Sequence, residues 1–350
     1  MIKVLYLFTS YRAEVLKKVR TGEDHGNGFW GMVKLPHYGV EASYAEPEQF
    51  YPKWISELIR KRLGVYWLHL SVFFKFFSYD YVFTSTAFGT QLVHTLLHIG
   101  KPKWVMHDFS ITGLIGDEKG FKQKVIAYIV KRCAGIVTLS VGEKEKLEER
   151  FPNLAGKIEF IPFGVDAEFF KPMDIPQDGK VFAVGFDPDR DWKTLFEAVE
   201  DLNVKVVVAT RPSRVEKLSI PKNVTIAQFT PRELAKEYAK SAVIVVPLNT
   251  SHANNDAMGC STLFEAMASG KPVIATNTHT MASYVHDGEN GLLVQEGDAE
   301  ALREAIKRVL SDQALAADLG KGARMYTETF LDAEKLGEKL ANFFKRLSNF

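Results

Sequence analysis

The forty residues from Gly259 to Asp298 hold the densest set of groups able to bind an anion. Gly259, Cys260, Ser261 and Thr262 are small or hydroxylic and stand directly before the helical run Leu263 to Ala268. Unpaired amides at that helix start would face a bound ligand, and a nucleotide diphosphate has the matching charge. Glu265 sits one turn inside, where an acid suits the helix dipole and its carboxylate can accept hydrogen bonds from the vicinal hydroxyls of a ribose. Ser261 or Thr262 as a plain N-cap and Glu265 as a plain first-turn acid would explain those residues equally well if they stood alone. The continuation separates the two readings. Gly270-Lys271-Pro272 stops the helix, Val273 to Thr276 reads as a short buried strand, and Asp287 to Gly291 is a turn before Leu292-Leu293-Val294.

The run FEAMASGKPVIAT, followed by VHDGENGLLVQEGDAEALREAI, closely resembles the donor-binding region of glycosyltransferase family 4, a group of GT-B enzymes that use nucleotide sugars. The resemblance is strong over residues 158 to 325 and implies transfer with retained anomeric configuration, with no metal and no cofactor. A UDP-sugar ranks ahead of a GDP-sugar as the donor. In the loop Val184 to Lys193, Arg190 and Lys193 stand where the family holds the diphosphate. Arg190 is preferred, because a planar guanidinium grips oxygens in pairs, whereas Lys193 suits local ion pairing equally well. Arg211 ends one strand and Thr230 follows another, so the nucleobase would lie between them, held by backbone groups near Thr230. His107-Asp108 follows the strand Trp104 to Met106 and resembles the family's histidine at the sugar site. Gly26, Gly28 and Gly31, after the first strand, permit close backbone approach to acceptor or diphosphate, but lack dinucleotide spacing. One departure stands out. The family often carries two glutamates in this region; the second is Glu265, and the first position holds Ala257. Sugar contacts from that acid would pass to Asn254, Asn255, Asp256 or the amides of Met258 to Cys260.

The elements needed to position these groups follow from alternation of strand and helix. In the first half the order is Val4–Thr9, Phe29–Tyr38, Tyr81–Thr84, Gln91–His98, Trp104–Met106, Lys122–Arg132, Ile136–Leu139 and Val141–Arg150. An extra helical pair spans Pro47 to Arg62 and the apolar run after it, assigned to the mouth of this domain. A concentration of breakers from Pro162 to Gly179 marks a linker. Alternation then restarts with Val181–Val184, Trp192–Glu200, Val204–Thr210, Val224–Gln228, Pro231–Lys240 and Ala242–Pro247. The fold class expected is α/β, with two Rossmann-like doubly wound domains facing across a cleft, at 1–165 for the acceptor and 166–330 for the nucleotide sugar. A C-terminal helix over 331–350 would cross back to the first domain, and domain closure would exclude water.

Composition narrows the remaining classes. The chain has 350 residues, 46% hydrophobic and 25% charged, with a net charge of +1. Residues 1 to 165 carry 22 Lys and Arg against 16 Asp and Glu, and the remainder 22 against 27. A basic first half suits a solvated face as well as an anionic membrane surface. Cys133 and Cys260 are the two cysteines and have no histidine at ligand spacing, which fits a reducing compartment and no metal site. Met1 to Phe8 is too short for a signal segment, so a cytoplasmic location is expected. Val65 to Phe77 is the most apolar stretch but is interrupted by His69 and Lys75 and falls short of the ~20 residues of a span. It reads as a buried helix, or, with Phe50, Tyr51, Trp54, Arg60, Lys61 and Arg62, as a patch resting on the inner face of the membrane. No basic, aromatic-interleaved stripe points to nucleic acid, and no Gly-rich turn supports a dehydrogenase.

The resulting expectation is a glycosyltransferase that passes a sugar to a hydroxyl of a sugar, lipid-linked or other acceptor in cell-surface glycan, glycolipid or polysaccharide synthesis. Two rivals remain: a nucleotide-sugar epimerase of the same fold, and a binding protein with reduced catalysis, which the alanine at 257 keeps open.

Overall fold

The structure is a computed structural model and describes residues 1–251 and 257–349. The chain forms two compact units, one of Met1–Arg20, Phe29–Pro162 and Leu336–Phe350, the other of Thr21–Gly28 and Phe163–Lys335. The units therefore interleave along the sequence instead of meeting at one boundary.

The first unit contains β1 (Ile2–Leu7), α1 (Ala13–Arg20), β2 (Val40–Ala45), α2 (Lys53–Leu63), β3 (Tyr81–Thr84), α3 (Phe88–Leu96), β4 (Lys103–Asp108), α4 (Ile111–Ile115), α5 (Phe121–Val130), β5 (Gly135–Thr138), α6 (Val141–Arg150) and β6 (Ile158–Phe160). The strands pair in parallel in the order β2-β1-β3-β4-β5-β6. Every residue of β3 and β5 is buried, as a sheet covered on both faces requires. The order reverses at β1, so the crevice favoured for ligands lies at the carboxyl ends of β1 and β3.

Three segments differ from expectation. The strand β2 was not anticipated, because its interior positions are half-buried and polar residues break the apolar run. Phe29 to Tyr38, expected as a helix, is turns with short 3-10 pieces. Gly31 and Gly39 both take φ of 77°, and Pro36 lacks an amide donor. Val65–Ser78 is a 3-10 run kinked at Val72, with Leu68, His69, Val72 and Phe76 buried. This run and α2 do reach the carboxyl end of β1. His69 Nε2 lies 2.9 Å from the Phe8 carbonyl, and Arg60 donates to the Thr9 carbonyl while pairing with Glu48 at 3.0 Å.

Burial pushes the His69 imidazole down to about 4. The unfolded chain therefore binds more protons between pH 6.5 and 4, and stability falls as pH falls through that window. Between pH 7.5 and 5 this one group costs about 2 kcal/mol. Urea unfolding of His69→Leu at both pH values should show a pH-dependent loss smaller than that of the parent by about this amount. An unchanged pH dependence would refute a neutral buried imidazole.

The second unit holds β7 (Val181–Val184), α7 (Trp192–Val199), β8 (Val206–Ala209), β9 (Val224–Ala227), α8 (Pro231–Lys240), β10 (Val243–Val246), α9 (Cys260–Ala268), β11 (Val273–Thr276), α10 (His279–Ala282), β12 (Leu292–Val294), α11 (Ala299–Ser311) and α12 (Gln313–Tyr326). Its six strands are again parallel, in the order β12-β11-β10-β7-β8-β9, and the order reverses between β7 and β10. The last helix, α13 (Ala333–Leu347), places Leu336, Leu340, Phe343, Phe344 and Leu347 in the core of the first unit beside Val4, Tyr6 and Phe83. Gly135 makes room for it, since a Cβ there would lie 2.8 Å from both Leu347 and Phe343 side-chain atoms.

The segment Thr21–Gly28 joins the second unit through specific bonds. Arg232 donates to the Gly22 carbonyl at 2.9 and 2.7 Å, and the Asp166 amide donates to Asn27 Oδ1 at 2.7 Å. The His25 ring packs on Phe169 and Phe170, with centroids 5.6 and 5.0 Å apart.

Candidate donor site

The strand reversal between β7 and β10 brings Arg190 to the start of α9. Its Nε donates to Asp187 Oδ2 at 2.9 Å and its Nη2 to Thr262 Oγ1 at 3.1 Å, while the Thr262 hydroxyl donates to the Val184 carbonyl at 3.3 Å. Arg190 is only 8% exposed, and its Nη1 has no partner among the described residues. A buried guanidinium nitrogen left open is costly unless a ligand completes it. Gly185 lets the arginine lie flat at the end of β7, because a Cβ at this position would run into the Arg190 side chain.

Helix α9 starts at Gly259, whose φ of 83° and contact with Leu248, 3.1 Å from a notional Cβ, both demand glycine. The N-cap is therefore Gly259, and neither Ser261 nor Thr262 fills that role. The Cys260 amide donates to the Ala257 carbonyl at 3.2 Å, and burial pushes its thiol up to about 12, so Cys260 is a packing group and not a nucleophile. Ser261 is the exposed residue of the first turn, and Thr262 orients Arg190. The Ser261 and Thr262 amides have no carbonyl one turn earlier in the helix to bond, which leaves partial positive charge at the end of α9.

Glu265 is buried, and Tyr238 Oη donates to its Oε2 at 3.0 Å. Burial raises the carboxyl above its ordinary range, opposed by His25, the Tyr238 bond and Arg190, and reinforced by Asp24. Sequence reading missed His25 and Tyr238. Their only sequence signal is a lone histidine among glycines and a tyrosine on the apolar face of α8. The rings continue from His25 to Phe170 to Tyr238, with the last two centroids 5.9 Å apart, and so link Thr21–Gly28 to Glu265. Gly28 is half-buried at the end of that segment.

Other expected ligands lie further from this cluster. Lys193 is 73% exposed and pairs with Glu197 one turn along α7 at 3.8 Å. Arg211 is exposed before a short 3-10 turn, whereas Arg214, not anticipated, donates to the Phe186 carbonyl at 3.0 Å. Thr230 caps α8: its amide donates to Glu233 Oε2 at 2.9 Å and its carbonyl accepts from the Leu234 amide at 2.8 Å. Both backbone groups of Thr230 are thus engaged in the helix cap. Asn254, Asn255 and Asp256 fall outside the described residues.

In the first unit, His107 and Asp108 are the last residues of β4, not residues following it. His107 is enclosed by Trp30, Phe83 and Phe109 at 4.9, 5.2 and 4.8 Å, with Nδ1 unpartnered among the described residues. Burial pushes it down to about 3, so the ring is uncharged at neutral pH. Asp108 Oδ1 accepts from the amides of Ser110 and Ile111 at 2.7 and 2.6 Å. Burial and the neighbouring Glu143 hold its carboxyl well above the usual range. Asp108 therefore shapes the loop that follows β4, where Ser110 takes a φ of 148°.

Residues 181–326 match the model of the family described as glycosyl transferases group 1. That match runs from β7 to α12 of the second unit. Among curated proteins, it is 25% identical over 278 residues to a D-inositol 3-phosphate glycosyltransferase of Streptomyces avermitilis, covering 69% of this chain and 57% of that protein. The chain thus spans a little over half the length of that relative. Among solved structures, a sucrose-phosphate synthase from Thermosynechococcus elongatus superposes with a TM-score of 0.73 at 19% identity, covering 100% of both chains. Anabaena HepE, solved in complex with UDP-glucose, gives 0.71 at 15% identity and the same coverage. These likenesses establish the GT-B fold for this chain, as two Rossmann-like units. No described helix is long and apolar enough to cross a membrane.

Proposed function

We propose that this protein is a glycosyltransferase that moves a sugar from a nucleotide diphosphate sugar to an acceptor hydroxyl. The observation that carries the reading is Arg190, buried at the strand reversal beside the start of α9 with Nη1 open. A guanidinium and a helix N-terminus together stabilise a departing diphosphate without a metal ion, the main electrostatic demand of this reaction. The bond from the anomeric carbon to the diphosphate breaks, and a new bond forms to the acceptor oxygen on the same face as the hydroxyl proton passes to the departing diphosphate, so configuration is retained. Glu265 holds the ribose, and neutral His107 hydrogen-bonds the donor sugar. A UDP-sugar is the preferred donor, in keeping with the UDP-glucose bound by the structurally similar HepE, and a GDP-sugar ranks next.

The acceptor belongs to cell-surface glycan, glycolipid or polysaccharide synthesis at the cytoplasmic face of the membrane. The first unit exposes Trp54, Leu58, Phe74 and Phe77, with Lys53, Lys61 and Arg62 nearby on α2. Aromatic and aliphatic groups ringed by cations suit an anionic lipid surface.

A thermal-shift screen with UDP, GDP, ADP and their sugars, without metal and with magnesium, tests the donor reading. One nucleotide raising the midpoint without metal is the expected result. No shift with any of them would refute the donor reading, and a shift without sugar transfer to any acceptor would favour the second reading, a nucleotide-sugar-binding protein with reduced catalysis, which rests on Ala257 standing in place of an acid.

A further inference from the structure

A second cavity of the donor unit, of about 670 Å³, lies at the amino ends of β7, β8, β10 and β11, the opposite edge of the sheet from Arg190. Its size falls within the range of about 300–1,000 Å³ usual for small-molecule sites. Lys271, Gln177, Asn203 and Gln313 line it together with the apolar Val204, Pro272 and Leu310.

Lys271 is 7% exposed; its amide donates to the Ala266 carbonyl at 3.2 Å, and its ammonium has no ion-pair partner among the described residues. The neighbouring carboxylates are already engaged. Lys180 takes Asp178 at 2.7 Å and Glu237 at 3.1 Å, and Lys240 takes the other oxygen of Glu237 at 3.2 Å. Two ammonium groups thus take both carboxylates, and the Lys271 ammonium is left over. Burial, with Lys180 acting in the same direction and Asp178 against it, pushes Lys271 down to about 8, so it remains mostly cationic at neutral pH. A partly desolvated cation without an anion is less stable than a paired one, and a ligand that supplies the anion recovers that difference. The first turn of α12 also lines the cavity, with its N-terminus capped by Asp312, which accepts from the Leu315 amide at 2.9 Å.

We infer that this cavity is a binding site for a small oxyanion with an apolar body, a carboxylate or a phosphate monoester, whose head group pairs with Lys271. The three carboxamides can donate to its oxygens, and the aliphatic residues cover the body. Helix α9 begins beside Arg190 and runs into Ser269, Gly270 and Lys271, so one rigid element joins the donor end to this cavity.

The test follows Lys271 by nuclear magnetic resonance in full-length protein carrying carbon-13 lysine, with its signal identified by its loss in Lys271→Gln. The probes are 3-phenylpropionate, phenyl phosphate and the neutral 3-phenylpropan-1-ol. Either anion should move the Lys271 titration upward by about one pH unit, because a nearby opposite charge favours the ammonium, and the alcohol should not. Which anion acts identifies the head group. Ala317→Trp fills the cavity from the exposed side of α12, keeps Lys271, and should abolish the shift. Unfolding midpoints without ligand check that both variants fold. No shift with either anion, or a shift that survives Ala317→Trp, overturns the proposal.

Discussion

Arg190→Ala lowers turnover by about 10²- to 10³-fold, the range typical when one preorganised donor to a developing negative charge is removed. Two features make this the largest expected effect. Arg190 is buried with Nη1 unpaired, so a diphosphate oxygen would meet a cation already desolvated and oriented by Asp187 and Thr262. The substitution also leaves Asp187 without its guanidinium partner. Arg190→Lys should recover little, because an ammonium is a point donor and cannot bond Asp187, Thr262 and a phosphate in the planar arrangement of a fork. Isothermal titration with UDP and uridine isolates the phosphate contribution. UDP affinity should fall much more than uridine affinity, and equal losses would refute a phosphate role for Arg190. Unfolding of the unliganded variant separates this from loss of fold.

Glu265→Ala weakens UDP on the order of 100-fold, since two hydrogen bonds from a diol to a carboxylate contribute about 1.5 kcal/mol or more each. The carboxylate is held by Tyr238 from α8 and faces His25 from the segment Thr21–Gly28. The proposed ribose ligand is therefore positioned by residues more than two hundred positions apart in the sequence. A comparison of UDP with 2′,3′-dideoxy-UDP on parent and variant forms a double-mutant cycle. The parent should discriminate strongly between the two ligands and the variant hardly at all. Equal discrimination by both proteins would remove Glu265 from the ribose. Acid should weaken UDP binding in the parent: as pH falls through the raised pKa of Glu265, the carboxylate takes up a proton and accepts the diol less well.

The alternation of strand and helix was legible because it follows from local rules. Apolar runs such as Val181 to Val184 and Val243 to Val246 are covered on both faces, and capped helices such as Pro231 to Lys240 appear at the positions read from sequence. The start of α9 was legible for the same reason, since small residues before a helical run leave amides free. Edge strand β2 and the 3-10 run Val65–Ser78 were not, because half-buried alternation and a kinked apolar segment carry no distinct period. Within the site, the sequence alone determined that Arg190 and Glu265 are of the types a nucleotide diphosphate needs, because residue chemistry and distance from a helix start are local properties. Tertiary structure alone decided their states: Thr262 turns the guanidinium, Tyr238 and His25 surround the carboxylate, and capping takes the backbone of Thr230. Burial and long-range partners set charge and orientation, and neither is encoded in the spacing of neighbours along the chain.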